Sequence, residues 1–235
     1  MAEVDIIIPV YQPRNDWASH LAGALNRELD DAHLYTLVIV NDGGQALNSE
    51  DKKTLQQISG SSHFKEVRII EYEDNQGKGY AIRKGILASS GPYILYTDDD
   101  LPYGVHAINE MVDRLSDNGQ VALPDRGSDY FRSLPLKRRI ISRGLIMMNI
   151  VLMRMKHADT QAGLKGFHRA VSGMILEGKE HGFLFEVEWI LRAEKAGVSI
   201  STIPVKINEK TIPSGVPGGD VWKLLRTYFR LFRSR

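Results

Sequence analysis

The chain has 235 residues, 43% of them hydrophobic and 25% charged, with 30 Lys/Arg against 29 Asp/Glu. That length and balance suffice for one folded core and argue against long disorder. The absence of cysteine excludes disulfides, thiolate–zinc sites and cysteine nucleophiles, and agrees with a reducing, cytoplasmic compartment.

The first segment, MAEVDIIIPV, has no basic leader, and its apolar run stops at Pro9. It reads as a strand from Val4 to Pro9 and not as a signal peptide. Further strands are expected at Tyr35 to Val40, Val67 to Tyr72, Tyr93 to Thr97 and Val121 to Leu123. Between them, helical patterns run from Trp17 to Leu29, Glu50 to Gln57 with Ser49 as N-cap, Gly79 to Ala88 and Val105 to Leu115. Repeated β–α–β units predict an α/β fold with a mostly parallel sheet covered by helices on both faces. Ligands of such sheets sit beyond the carboxyl ends of the strands.

Charge is unevenly spread. Arg126 to Lys156 holds eight Lys/Arg against one acid, Asp129, and Val221 to Arg235 holds five against none, leaving 17 basic and 28 acidic residues elsewhere. Both basic segments are rich in large apolar residues, which fits an anionic membrane surface better than nucleic acid. The plain alternative is ordinary solvated helix faces. Thr211 to Asp220, with two prolines and three glycines, is a loop by composition. In the helix after it, Lys223, Arg226, Arg230 and Arg233 fall within about 80° of one another, opposite Val221, Leu224, Leu225, Tyr228 and Phe232. This is the pattern of an interfacial helix, or of one packed on the core. Ile140 to Met155, with four methionines, offers a second greasy surface or a packed helix. No apolar stretch reaches the length of a membrane span.

Four motifs fall just after the strands. In YILYTDDDLP an apolar strand runs into Asp98, Asp99 and Asp100. Like charges at such density call for a cation, and on an extended segment Asp98 and Asp100 point the same way, so they can share a divalent metal. A solvated acidic turn is the alternative. Asn75-Gln76-Gly77-Lys78-Gly79 opens a helix, where backbone N–H groups, Lys78 and Arg83 favour an anion such as a diphosphate. It is not a Walker sequence, and taken alone it reads as a simple strand-to-helix turn before it reads as an anion site. Asp42, in VIVNDGG, can accept from a base N–H while Tyr11, in IIPVYQP, packs beside the ring. Asp-Gly turns are common, so the weight lies in all four motifs sharing one sheet edge.

In this combination the chain resembles family 2 glycosyltransferases of the GT-A fold. The matching pieces are Ile8-Pro9-Val10-Tyr11, Asn41-Asp42-Gly43-Gly44, Asn75 to Gly79 and Asp98 to Asp100. In the second half, KRRIISRG, DTQAGLKGFHR and GFLFEVEWILRAEKAGVSISTIPV resemble the branch that loads sugars onto polyprenyl phosphates. Asp159-Thr160-Gln161-Ala162-Gly163 is particularly similar to dolichyl-phosphate glucose synthases, with mannose synthases as close cousins. The resemblance implies a catalytic domain over residues 1–210, a loop over 211–220 and an amphipathic basic helix over 221–235.

It also implies roles. Pro9, Val10, Tyr11 and Asp42 would hold the nucleoside; Lys78, Asp99 and Gln161 would lie near the donor. Asp98 and Asp100 would flank Mg2+ or Mn2+ and the diphosphate, and Arg126, Arg138 and Ser142 would face the acceptor phosphate. Glu186 and Glu188 lie in a segment that is acidic in the family too, and each reads equally as a surface residue. Departures are Asn41-Asp42-Gly43-Gly44 for Asp-Asp-Gly-Ser, Leu101-Pro102 after the aspartates, and a late loop without its usual Ser-Lys pair.

The expected reaction is inverting transfer of a hexose, glucose ahead of mannose, from UDP-glucose or GDP-mannose to a polyprenyl phosphate at the cytoplasmic membrane face. A glycan or other hydroxyl acceptor is the alternative. A hydroxyl needs a general base, for which Glu186 or Glu188 would serve, whereas a phosphate monoester is largely dianionic at pH 7 and attacks unaided. No nucleic-acid partner is expected, and a homo-oligomer is left open.

Overall fold

The computed structural model describes residues 1–117, 119–182, 184–208 and 221–233. In chain order the elements are β1 (Glu3–Val10), α1 (Trp17–Glu28), β2 (Leu34–Asn41), α2 (Ser49–Gln57), β3 (Phe64–Glu71), α3 (Lys78–Ala88), β4 (Tyr93–Thr97) and α4 (Gly104–Ser116). There follow β5 (Val121–Asp125), α5 (Gly127–Ser133), α6 (Leu136–Val151), β6 (Leu164–His168), α7 (Ser172–Leu176), α8 (Phe185–Lys195), β7 (Ile200–Pro204) and α9 (Val221–Arg233).

Among the described residues one sheet of seven strands carries them, in the order β3-β2-β1-β4-β6-β5-β7. All neighbours are parallel except β6, which runs antiparallel to both β4 and β5. Strand order reverses beside β1, so the crevice for a ligand opens past the carboxyl ends of β1, β2 and β4. The mostly parallel, doubly covered sheet expected from the sequence is therefore present.

Alternation along the strands sorts the core into two layers. Val4, Ile6, Ile8 and Val10 of β1 and Leu37 and Ile39 of β2 pack against α1, α2 and α4. Ile7, Val38, Val40, Ile94 and Tyr96 face the other way, onto α3, α7 and α8, with Leu145 of α6 and Tyr228 and Leu231 of α9. The N-cap of α2 is Asn48 and not Ser49: its side chain accepts from the Asp51 N–H at 2.7 Å. Strands β6 and β7 carry no strong apolar alternation, and the charged Lys165 hides in the sequence how deeply β6 lies from Leu164 to Phe167.

The predicted loop over 211–220 lies outside the described residues. Helix α9 is present, and Tyr228 is turned into the body while Phe229 and Phe232 remain exposed. Part of the face read as interfacial is thus core. No described helix is long and apolar enough to cross a membrane.

Candidate active site

The four motifs do meet at the sheet edge. The Asp42 N–H donates to the Val10 carbonyl at 2.8 Å, and the exposed Tyr11 ring lies beside Gly44. Gly43 adopts φ 79°, and a Cβ there would sit 2.3 Å from the Asn75 nitrogen, so glycine is what lets the 42–44 and 74–75 turns touch.

Asp42 itself is buried. Its Oδ1 accepts from the Tyr72 hydroxyl at 2.7 Å and the Gln76 N–H at 3.0 Å; its Oδ2 accepts from Asn75 Nδ2 at 3.2 Å and the Gly77 N–H at 3.0 Å. A carboxylate offers about four acceptor positions, and all are used. Asp42 therefore ties the 75–77 loop to β2, a task the sequence did not reveal, and a base N–H would reach it only by displacing one of these donors.

That loop delivers Lys78 to the first turn of α3, where its ammonium is hydrogen-bonded to Asp98 Oδ1. Burial works against the Lys78 charge, but Asp98, Glu186 and Asp100 outweigh it and raise its pKa. Strand β4 ends at Thr97, and the aspartates occupy a turn in which the Leu101 N–H donates to the Asp98 carbonyl at 3.1 Å. The extended geometry assumed for Asp98 and Asp100 is corrected accordingly: the chain turns as soon as the ladder ends. Leu101 holds φ 45°, a left-handed conformation that costs a non-glycine residue about 1–3 kcal/mol and is kept here by burial of its side chain.

Crowding shows in the acidities. Burial, then Asp100 and Asp98, raise the Asp99 pKa to about 6, and burial, then Asp98, raise that of Asp100. Arg14, in the loop after β1, opposes both shifts and so belongs to this edge, although no motif marked it. Among the described residues no group of three or more His, Cys, Asp or Glu surrounds one point. The donor set is nevertheless all oxygen, and a lysine ammonium already serves as counter-cation to Asp98, so an oxygen-seeking divalent ion fits the chemistry of the pair.

On the other side, the Asp98 N–H donates to the Gly163 carbonyl at 3.1 Å, extending the β4–β6 pairing. A Cβ on Gly163 would lie 2.0 Å from Asp98 Oδ2. Gly163→Ala should thus leave the backbone alone and push the carboxylate aside: we expect Mg2+-dependent nucleotide binding, read by calorimetry, to weaken about tenfold or more, equivalent to losing one charge-assisted contact. Unchanged binding would show that Asp98 Oδ2 is not needed.

The segment before Gly163 reaches the basic region. Arg126, nearly buried, forks onto Asp159, with Nε to Oδ2 at 2.8 Å and Nη2 to Oδ1, and its guanidinium stacks 4.3 Å from the Tyr130 ring centroid. Burial alone would lower the Arg126 pKa, but Asp159 outweighs it. The arginine is thus held by a carboxylate through the two-pronged contact that it could equally make to a phosphate. Tyr103, missed in the sequence, has its pKa raised by burial first and feels Arg126, Tyr130, Asp159 and Asp98 together, which places the arginine and aspartate groups around one phenol. Gln161 Nε2 donates to Thr160 Oγ1 at 3.1 Å.

Arg138 and Ser142 lie on α6 with Leu145 and Asn149, all within about 60° around the helix axis and all partly or wholly covered. Glu186 and Glu188 are buried. Glu186 Oε1 receives the fully buried Lys165 Nζ at 2.8 Å and the Tyr96 hydroxyl at 3.2 Å, and Lys165 also donates to the Ala162 carbonyl. Glu188 accepts from the Lys179 and Glu180 N–H groups at 3.1 and 2.8 Å and from Arg192 at 3.4 Å.

A sequence profile of glycosyl transferase family 2 matches residues 5–174. The chain belongs to that family. Among curated relatives, this family 2 chain is 22% identical over 212 residues to Glycosyltransferase AglD of Haloferax volcanii, covering 86% of this chain and 32% of that one. It is 25% identical over 191 residues to the dolichyl-phosphate beta-glucosyltransferase of Saccharomyces cerevisiae (74% and 57%) and 26% over 222 residues to that of Dictyostelium discoideum (88% and 66%). The chain thus spans from about a third to just under two thirds of the length of these relatives. The fold is shared with glucosyl-3-phosphoglycerate synthase of Mycobacterium tuberculosis, solved with Mn2+, UDP and phosphoglyceric acid, at TM-score 0.61 and 13% identity, covering 99% of this chain and 78% of that one. It is also shared with S. aureus TarS at TM-score 0.57 and 13% identity, covering 97% and 65%. These neighbours have the GT-A architecture.

Proposed function

We propose that this family 2 chain transfers a hexose, glucose ahead of mannose, with inversion, from a nucleotide-sugar donor to a polyprenyl phosphate at a membrane surface. The observation that carries the acceptor is the state of the two candidate bases. Glu186 and Glu188 are both buried and committed to internal cations and N–H groups, whereas a lipid phosphate dianion needs no base. The names of the curated relatives support the same acceptor class and sugar.

In this reading Tyr11 and Asp42 border the nucleoside, with Pro9 and Val10 beneath them. Asp98 and Asp100 hold Mg2+ or Mn2+, which when bound would neutralise the departing nucleoside diphosphate. Lys78 and Arg14 add positive charge on that side, with Asp99 and Gln161 bordering the donor. Arg126, Arg138 and Ser142 bind and orient the incoming phosphate. Incubating the protein with polyprenyl phosphate, divalent metal and UDP-glucose or GDP-mannose should yield a glycolipid, lost on chelation. Transfer to soluble hydroxyl acceptors with none to lipid phosphate would overturn the acceptor assignment.

The membrane contact has its own support. Leu136, Ile140, Met147, Ile150 and Val151 form the outward stripe of α6, 51 to 69% exposed, on a helix with four basic residues and no acid. An apolar stripe so flanked suits an anionic bilayer surface. Each side chain inserted is worth about 1.5–3 kcal/mol, so Ile140→Asp/Met147→Asp should reduce partition into anionic liposomes by at least about tenfold in sedimentation. Unchanged partition, or a loss of self-association in place of lipid binding, would reassign this face.

A further inference from the structure

Asn149 is a buried polar group for which neither the motifs nor the reaction gives a reason. It sits deep in α6, 1% exposed, where an apolar residue would serve packing alone. Its amide is fully engaged in three directions. Oδ1 accepts from the Tyr228 hydroxyl of α9 at 2.7 Å, and Nδ2 donates to the Ala158 carbonyl at 2.8 Å and to Thr160 Oγ1 at 3.3 Å. The geometry also fixes the orientation of the amide: the Ala158 carbonyl can only accept, so the nitrogen must face it and Oδ1 is left to take the Tyr228 hydroxyl.

The segment it holds is the one that joins the two halves of the site. Asp159, between the two residues Asn149 grips, carries the fork on Arg126; Thr160 receives Gln161; and Gly163 pairs with Asp98. Asn149 is also on the α6 stripe that carries Arg138 and Ser142, two to three turns further along. One amide therefore connects the C-terminal helix to Arg126 through Asp159, and to Arg138 and Ser142 through a shared helix face. Helix α9 is separately tied to the donor side, since Arg230 pairs with Glu180, whose carbonyl accepts from Arg83 of α3 at 2.7 Å.

We propose that Asn149, seated on Tyr228, is a positioning residue that makes the C-terminal helix a supporting wall of the acceptor site, and not a membrane tether alone. This rests on the assignment of Arg126, Arg138 and Ser142 to the acceptor phosphate. Removal of the Tyr228 hydroxyl leaves the ring packed but frees the Asn149 amide to turn, and Asp159 then loses the anchors on either side of it, at the Ala158 carbonyl and the Thr160 hydroxyl.

The test uses the full chain with Tyr228→Phe, Asn149→Ala and the double variant. Hydrogen exchange of residues 158–163 needs no substrate: it should quicken at least tenfold in each variant, with β1 and β4 unchanged. With lipid phosphate as acceptor, Tyr228→Phe should lower kcat/KM for the acceptor about five- to tenfold while UDP affinity and liposome partition stay within twofold, and the double variant should lose no more than the worse single one. Wild-type exchange at 158–163 in both variants would overturn the linkage whatever the acceptor proves to be. Quickened exchange with acceptor kinetics and UDP affinity falling together would reduce Asn149 to a general stability role. A wild-type protein that ignores lipid phosphate would sink the acceptor reading instead, and the exchange result would still decide whether α9 holds this segment.

Discussion

Replacing Asp100 by alanine is expected to remove at least about 10²–10³-fold of transfer without weakening the fold, the size of effect seen when one group stabilising developing charge is lost. Asp100 has its carboxyl pKa raised by burial and by Asp98, so in the ground state it is a source of repulsion. Deleting it relieves that repulsion. Thermal stability should therefore hold or rise while activity collapses, the signature of a charge kept for function. The conservative Asp100→Asn should behave the same way, because an amide keeps the shape and loses the charge that a divalent cation needs. Transfer rates near wild type in either variant, with chelator-sensitive activity, would move the metal elsewhere.

The second large effect is on stability. Lys165 is fully buried, and its ammonium meets Glu186 Oε1 at 2.8 Å as well as the Ala162 carbonyl. Burial pulls its pKa down and Glu186 opposes that shift. Lys165→Met leaves Glu186 as an unpaired buried carboxylate, a change that costs about 3–5 kcal/mol. Lys165→Met/Glu186→Gln should recover at least half of that loss in denaturant titration, since the Gln carbonyl can still accept from the Tyr96 hydroxyl. The double variant also discriminates between mechanisms. If Glu186 only supports structure, transfer to lipid phosphate falls by less than the roughly 10²–10⁴-fold that loss of a general base costs. A larger fall at restored stability would make Glu186 the base and favour a hydroxyl acceptor.

Much of this site was visible in the chain. The alternation of Ile6, Ile7 and Ile8 sends neighbours to opposite layers, and a strand buried on both sides must be apolar throughout. The acidic, glycine-rich and aromatic motifs then had to fall at the carboxyl edge, because a parallel sheet places every strand end there. Helix α2 shows the limit of such local reading: its cap lies one residue earlier, at Asn48, whose amide both accepts from the Asp51 N–H and donates to the Asp51 carboxylate.

What local patterns could not supply were partnerships between distant segments. Asp42 read as a nucleoside acceptor, yet its four hydrogen bonds come from residues 72–77, about thirty positions away. Arg126 read as a phosphate arginine, yet Asp159 holds it; Lys165 carried no expected role, yet it is the core cation of β6. Amphipathicity gave α9 a greasy side without saying what covers it, and the fold turned Tyr228 onto Asn149 while leaving Phe229 and Phe232 outside.

The layered sheet, the edge at which chemistry gathers and the residue types available there follow from the chain alone, since periodicity and turn chemistry are local. Which charges pair with one another follows from the folding of distant segments together. Pairing of buried ions depends on segments meeting in space, where desolvation makes an unpaired charge too costly to leave.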